Sequence, residues 1–126
     1  MPERLPASLP PAFVTYGWCR VSYAIVHSLA RRGVEVHVGD IAPDAMCRYS
    51  RKVARFWRHR SPVEDPDGFL DDLVAALDGS GARVLLPGHE DALFLAANRE
   101  RLPEGVELPV ADAQIVDRLR NKWEAL

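Results

Sequence analysis

Apolar residues follow two rhythms along the chain, one of period two and one near 3.6. Ala12-Phe13-Val14-Thr15-Tyr16 is a short run of strand formers stopped by Gly17. Val21, Ile25, Ser28 and Leu29 then recur at helical spacing towards Arg32, and Gly33 supplies a C-terminal stop. Residues 34–40, Val-Glu-Val-His-Val-Gly-Asp, alternate as a strand does. A crossover this short predicts two parallel strands joined with the right-handed connection.

The middle is less regular. Residues 43–52 read as a loop with one helical turn. In residues 53–59, Val53, Arg55, Trp57 and His59 alternate with Ala54, Phe56 and Arg58, which predicts a third strand. Asp65-Pro66-Asp67 is a helix start: a side-chain cap, proline at the first position and an acid in the first turn. Phe69, Leu70, Leu73, Val74 and Leu77 form the apolar stripe of that helix, and Gly79-Ser80-Gly81 ends it. Val84-Leu85-Leu86-Pro87 has the uniform apolarity of a buried parallel strand. Gly88-His89-Glu90 leads into a helix from Asp91 to about Arg101, and Leu108-Pro109-Val110 reads as a short last strand. Ala111-Asp112 opens a final helix through Ile115, Val116 and Leu119. The pattern βαβ(α)βαβαβα predicts an α/β fold, an open, mostly parallel sheet with helices on both faces. Such sheets bind ligands at the carboxyl ends of their strands. Those ends are Tyr16-Gly17, Asp40, residues 87–90 and Ala111-Asp112.

Composition narrows the class. The 126 residues are 48% hydrophobic and 27% charged, with a formal net charge of −2, as in an ordinary globular domain without a basic field for nucleic acid. The longest apolar run is residues 92–97. A membrane helix needs about 20 such residues, so no spanning segment is expected. Residues 1–11 hold four prolines and no apolar core of a secretion signal, and read as an irregular arm. With no signal peptide and no closely spaced cysteine pair, Cys19 and Cys47 are expected to be reduced thiols in a cytoplasmic protein, not zinc ligands.

The candidate chemistry lies at the strand ends. The first turn occupies the place where a dinucleotide fold carries its glycine-rich loop, and Asp40 falls near the spacing of a ribose-binding acid. Only Gly17 is present, however, and Trp18 and Cys19 would crowd a phosphate, so a plain β-turn-α connection is favoured over NAD binding. His89 and Glu90 open a helix at the point where ligands enter such sheets. Arg48, Arg51, Lys52, Arg55, Arg58 and Arg60 form a basic run without acids, and residues 61–82 form an acidic run without bases. Solvated faces with some ion pairing are the favoured reading of both. A phosphate or substrate-carboxylate contact by one or two arginines is the alternative. Cys19 stands near a helix start, but no histidine is placed beside it by the sequence, so a catalytic thiol is disfavoured.

Taken in order, several strings resemble the N-terminal domain of ATP-grasp ligases, closest in flavour to the group that looks like the carbamoyl phosphate synthetase large subunit. They are Phe13-Val14-Thr15-Tyr16-Gly17, residues 24–36, Arg48-Tyr49-Ser50-Arg51, residues 65–70, Pro87-Gly88-His89-Glu90-Asp91-Ala92-Leu93 and Asp117-Arg118-Leu119-Arg120-Asn121-Lys122-Trp123. Each string alone is of low specificity; their order and spacing carry the resemblance, which covers residues 12–126.

The resemblance implies a Rossmann-like pre-ATP-grasp domain over residues 12–120, with residues 121–126 starting an ATP-grasp domain. In the complete enzyme, ATP and magnesium would be clamped by the domains that follow, which are this chain's expected partners. A small-molecule carboxylate would be activated as an acyl phosphate and attacked by an amine or similar nucleophile. Gly17, Trp18, His89 and Glu90 would line the substrate side, and Lys122 would reach ATP phosphates. Asn121 stands where relatives commonly have an acid, and the first loop lacks the usual glycines. By itself the chain is expected to be an inactive piece of the enzyme, binding no cofactor tightly and no metal. The competing readings are the nucleotide-binding half of an NAD-dependent oxidoreductase and a stand-alone interaction domain. Finally, a helix apolar over residues 92–97 covers its whole circumference, which predicts either burial on two sides or a homodimer through this helix.

Overall fold

A computed structural model of the chain describes residues 9–17, 20–42, 50–87 and 91–109. Its elements in chain order are strand β1 (Ala12–Val14), helix α1 (Arg20–Arg31), strand β2 (Val36–Asp40), strand β3 (Val53–Arg58), helix α2 (Pro66–Ser80), strand β4 (Val84–Leu86) and helix α3 (Asp91–Ala97), followed by a 3-10 turn, Arg99–Arg101. All four strands are parallel, in the order β3-β2-β1-β4. This is the predicted α/β architecture, a Rossmann-like open sheet.

Strand order dictates where the helices go. From β1 to β3 the chain steps one way across the sheet, and after β3 it reverses to the far side of β1. Crossovers of one hand must then lay α1 and α2 on opposite faces. The buried side chains divide accordingly. Val14, Val36 and Val38 form one core with Val26, Ile25 and Leu29 of α1. Phe13 and Leu85, on the other face, pack with Phe69, Leu70, Leu73 and Leu77 of α2 and with Leu95 of α3. Successive residues of β1 thus feed different cores, as strand alternation requires. Each fully buried Phe or Leu of these cores contributes about 1.5–3 kcal/mol.

Helix α2 begins as its sequence dictates. The Asp65 carboxylate accepts from the Gly68 amide at 3.0 Å, and Pro66 takes the first helical position. At the other end Gly81 adopts φ 70°, a left-handed conformation that only glycine takes without strain, and its N–H closes on the Leu77 carbonyl.

Trp57 ties the edge strand β3 to the sheet. Its indole N–H donates to His37 Nδ1 at 3.0 Å. An indole can only donate, so the His37 proton resides on Nε2, which lies 3.1 Å from a Glu35 carboxylate oxygen. The guanidinium of Arg55 covers the outer face of the indole, 3.8 Å from its centroid.

Two expectations from the sequence need correction. The helix opened by Asp91 stops at Ala97 and does not continue to Arg101 as one α-helix. Asn98 turns back on it, its side-chain amide donating to the Phe94 carbonyl at 2.9 Å, and the chain tightens into the 3-10 turn. The last strand shrinks to one bridge, between Val84 and Glu107, a residue earlier than expected. Glu107 exchanges two backbone bonds of 2.8 Å with β4 and its approach, while Pro109, lacking an N–H, cannot extend the ladder. Val110 lies outside the described residues.

Candidate functional site

The chain reverses across the sheet between β1 and β4, so their carboxyl ends frame the crevice where such sheets admit ligands. Thr15 organises that edge. Its amide donates to the Leu86 carbonyl at 3.1 Å, and its carbonyl accepts the Ser22 hydroxyl of α1 at 2.8 Å. Its own hydroxyl donates to the carboxylate of Asp91, at the start of α3. Thr15, Ser22 and Asp91 are all buried. A carboxylate in the first turn of a helix also faces the positive end of the backbone dipole. Tyr16 follows with φ 57°, a left-handed conformation uncommon for a side chain of that size. Gly17 is buried and its N–H donates to the Gly39 carbonyl at 3.2 Å.

Of the residues the sequence singled out, Gly17 is therefore at the head of the crevice. Trp18, His89, Glu90 and Lys122 lie outside the described residues, as do Cys19 and Cys47. Of the described residues beside them, Gly17 follows β1 by three positions and Asp91 opens α3, and Thr15 hydrogen-bonds to Asp91. Asp40 is buried at the end of β2, where its Oδ1 accepts the amides of Ile41 at 2.6 Å and Ala42 at 3.2 Å. That role is a turn cap, and with the Gly17 amide engaged by β2, neither group is arranged as a dinucleotide loop would use it.

A second concavity lies beyond the carboxyl ends of β2 and β3. It is an open depression of about 680 Å³, lined by Ile41, Arg58, His59, Arg60, Glu64 and Asp72 among others. Arg60 and Asp72 meet in a forked pair, Nε to Oδ2 at 3.0 Å and Nη2 to Oδ1 at 3.2 Å, and the Arg60 amide also donates to Asp72, at 2.8 Å. The hydrogen bond from Arg60 holds the Asp72 carboxyl below the ordinary aspartate range, and the same bond raises the Arg60 guanidinium. His59 is nine-tenths buried, its ring edge-on to Phe69. Its Nδ1 donates to the Arg60 carbonyl at 2.9 Å, which leaves Nε2 a bare acceptor, buried without a partner. The side chains of Arg58 and Glu64 are exposed and make no ion pair or hydrogen bond among the described residues.

The basic and acidic runs thus meet at Arg60, which also approaches Asp65 at 3.4 Å, while Asp67 and Asp71 take Arg101 from later in the chain, at 2.9 and 3.8 Å. The sequence marked these runs but not the concavity between them. Nor did it mark Thr15, because a partner 76 residues away leaves no local signal.

No protein-family profile matches the chain, and no curated protein does. Fourteen chains of known structure match its fold. One of them, the Kluyveromyces lactis urea carboxylase, superposes with a TM-score of 0.53 at 17% identity, over 79% of this chain and 9% of that one. At that identity the likeness is one of fold. Among the described residues no helix is long and apolar enough to cross a membrane.

Proposed function

We propose that this chain is the N-terminal, substrate-side domain of an ATP-dependent carboxylate–amine ligase of the ATP-grasp kind. The observation that carries this reading is the match of 79% of the chain to 9% of a carboxylase, which is what a shared domain within a larger enzyme produces. The order of sequence motifs from Phe13 to Trp123 supports it as well. In this reading the crevice between β1 and β4 forms one wall of the substrate site. Thr15 and Asp91, bonded to each other, stand close in sequence to Trp18, His89 and Glu90, which this reading assigns to the substrate. ATP and magnesium belong to the domains that follow. In this reading only Lys122 of this chain is assigned to the phosphates.

The test has two arms. The 126 residues alone are expected to hydrolyse no ATP and to bind it no tighter than about millimolar. In a longer protein containing the chain, Lys122→Ala is expected to weaken ATP use by at least about tenfold, the worth of one charge-assisted phosphate contact. Glu90→Gln is expected to alter dependence on the acceptor substrate more than on ATP. Micromolar ATP affinity of the isolated chain, or a Lys122→Ala variant with unchanged kcat and KM for ATP, would overturn the proposal.

A further inference from the structure

The concavity beyond β2 and β3 has a charge pattern that selects a ligand class. Two cations and two anions line it, Arg58 and Arg60 against Glu64 and Asp72. The forked Arg60–Asp72 pair satisfies itself. Arg58 and Glu64 remain, one of each sign, both exposed and both without a side-chain partner among the described residues. A polyanion such as a nucleotide would meet the two carboxylates, and a simple cation would meet the two guanidiniums. A ligand with no net charge but separated charges meets neither penalty. The volume, about 680 Å³, falls in the range of small-molecule sites.

We propose that this concavity binds a small zwitterion of the amino-acid class, its carboxylate on Arg58 and its ammonium on Glu64. The Arg60–Asp72 pair lines the same concavity with its charges matched to each other. His59 holds the Arg60 backbone through its carbonyl, with its own ring edge-on to Phe69. The site is distinct from the crevice between β1 and β4 and does not depend on the ligase reading, so it is tested on the 126-residue chain without ATP.

The probe is 5-aminopentanoate, followed by nitrogen-edited NMR, with pentanoate and pentylamine as single-charge controls. Saturable shifts are expected at the Ser61 and Glu64 amides and at the Arg58 side-chain N–H, with half-saturation at about 1 mM, as suits exposed charges. Each control is expected to bind at least about tenfold more weakly, and Arg58→Gln and Glu64→Gln each to weaken the zwitterion by about tenfold. Both side chains are exposed and unpartnered, so both variants should fold as the parent does, which their amide spectra report directly. Equal binding of pentanoate, undiminished binding to Arg58→Gln, or the absence of saturable shifts up to about 50 mM would each overturn the proposal.

Discussion

Thr15 commits its amide, its carbonyl and its hydroxyl to three different elements, so its hydroxyl is the part a substitution can remove cleanly. Thr15→Val keeps the shape and leaves the buried Asp91 carboxylate short of one donor. A loss of about 1–3 kcal/mol is expected in denaturant unfolding, with Thr15→Ser recovering most of it. Two glycines make a contrasting pair. A Cβ on Gly39 would stand 2.9 Å from Phe13 Cε1 and Cζ and 3.0 Å from His59 Cδ2, whereas one on Gly33 would touch nothing but sit at φ 83°. Gly39→Ala is therefore expected to lose about 1–3 kcal/mol by overpacking, and Gly33→Ala about 1–2 kcal/mol by backbone strain. Only the first should be eased by Phe13→Leu in the same background, which a double-mutant cycle measures. Gly33 was legible in the sequence, because a helix stop is a local property. Gly39 was not, because its need for bare space is set by rings contributed from other parts of the chain.

At the scale of elements, the edges of the helices and strands followed rules of short range, and those rules were readable. Asp65-Pro66 started α2 and Gly81 ended it as the residue types require. The alternation across residues 53–59 gave β3 to within one residue. What escaped were the elements decided by competition. Asn98 adds a side-chain bond to the Phe94 carbonyl where α3 gives way to the 3-10 turn, and Pro109 halted the last strand before it formed. The link between β3 and α2 is also non-local, and it titrates. Asp72 is held below its ordinary value by Arg60, so the stability it lends is complete above the unfolded value, about 3.9, and is lost as pH falls through the lower folded one. Acid unfolding profiles should show this contribution vanish below about pH 4, and Arg60→Gln should flatten the profile in that window while leaving its slope near neutrality unchanged.

For the molecule as a whole, sequence periodicity sufficed to give a parallel sheet with two covered faces, since both cores could be read from which positions were apolar. It could not give the occupancy of α3. Leu95 is wholly buried and Phe94 half-buried, and both pack into the α2 core although they are consecutive residues. The half-buried Ala92, Leu93 and Ala96 keep a second apolar side on this short helix. Self-association through it is expected to raise the apparent mass in sedimentation equilibrium across about a hundredfold range of concentration. A constant monomer mass would show that the helix is core on every side.

The order β3-β2-β1-β4 has one more consequence, for how the molecule breathes. The short strand β1 is flanked on both sides, and its residues belong to both cores. Among the described residues β3 has a neighbour on one side only, and most of its side chains are exposed or half-buried. Detaching β3 therefore leaves β1 hydrogen-bonded, whereas no opening can free β1 without dissolving both layers together. Amide hydrogen exchange should report this as nested rates. The β3 amides that point away from β2 exchange first, those between β3 and β2 follow in a partial opening, and the amides of Phe13 and Val14 exchange only with global unfolding. The crevice at the head of β1 would then rest on the slowest-opening part of the sheet, while the concavity at the head of β3 rests on the fastest.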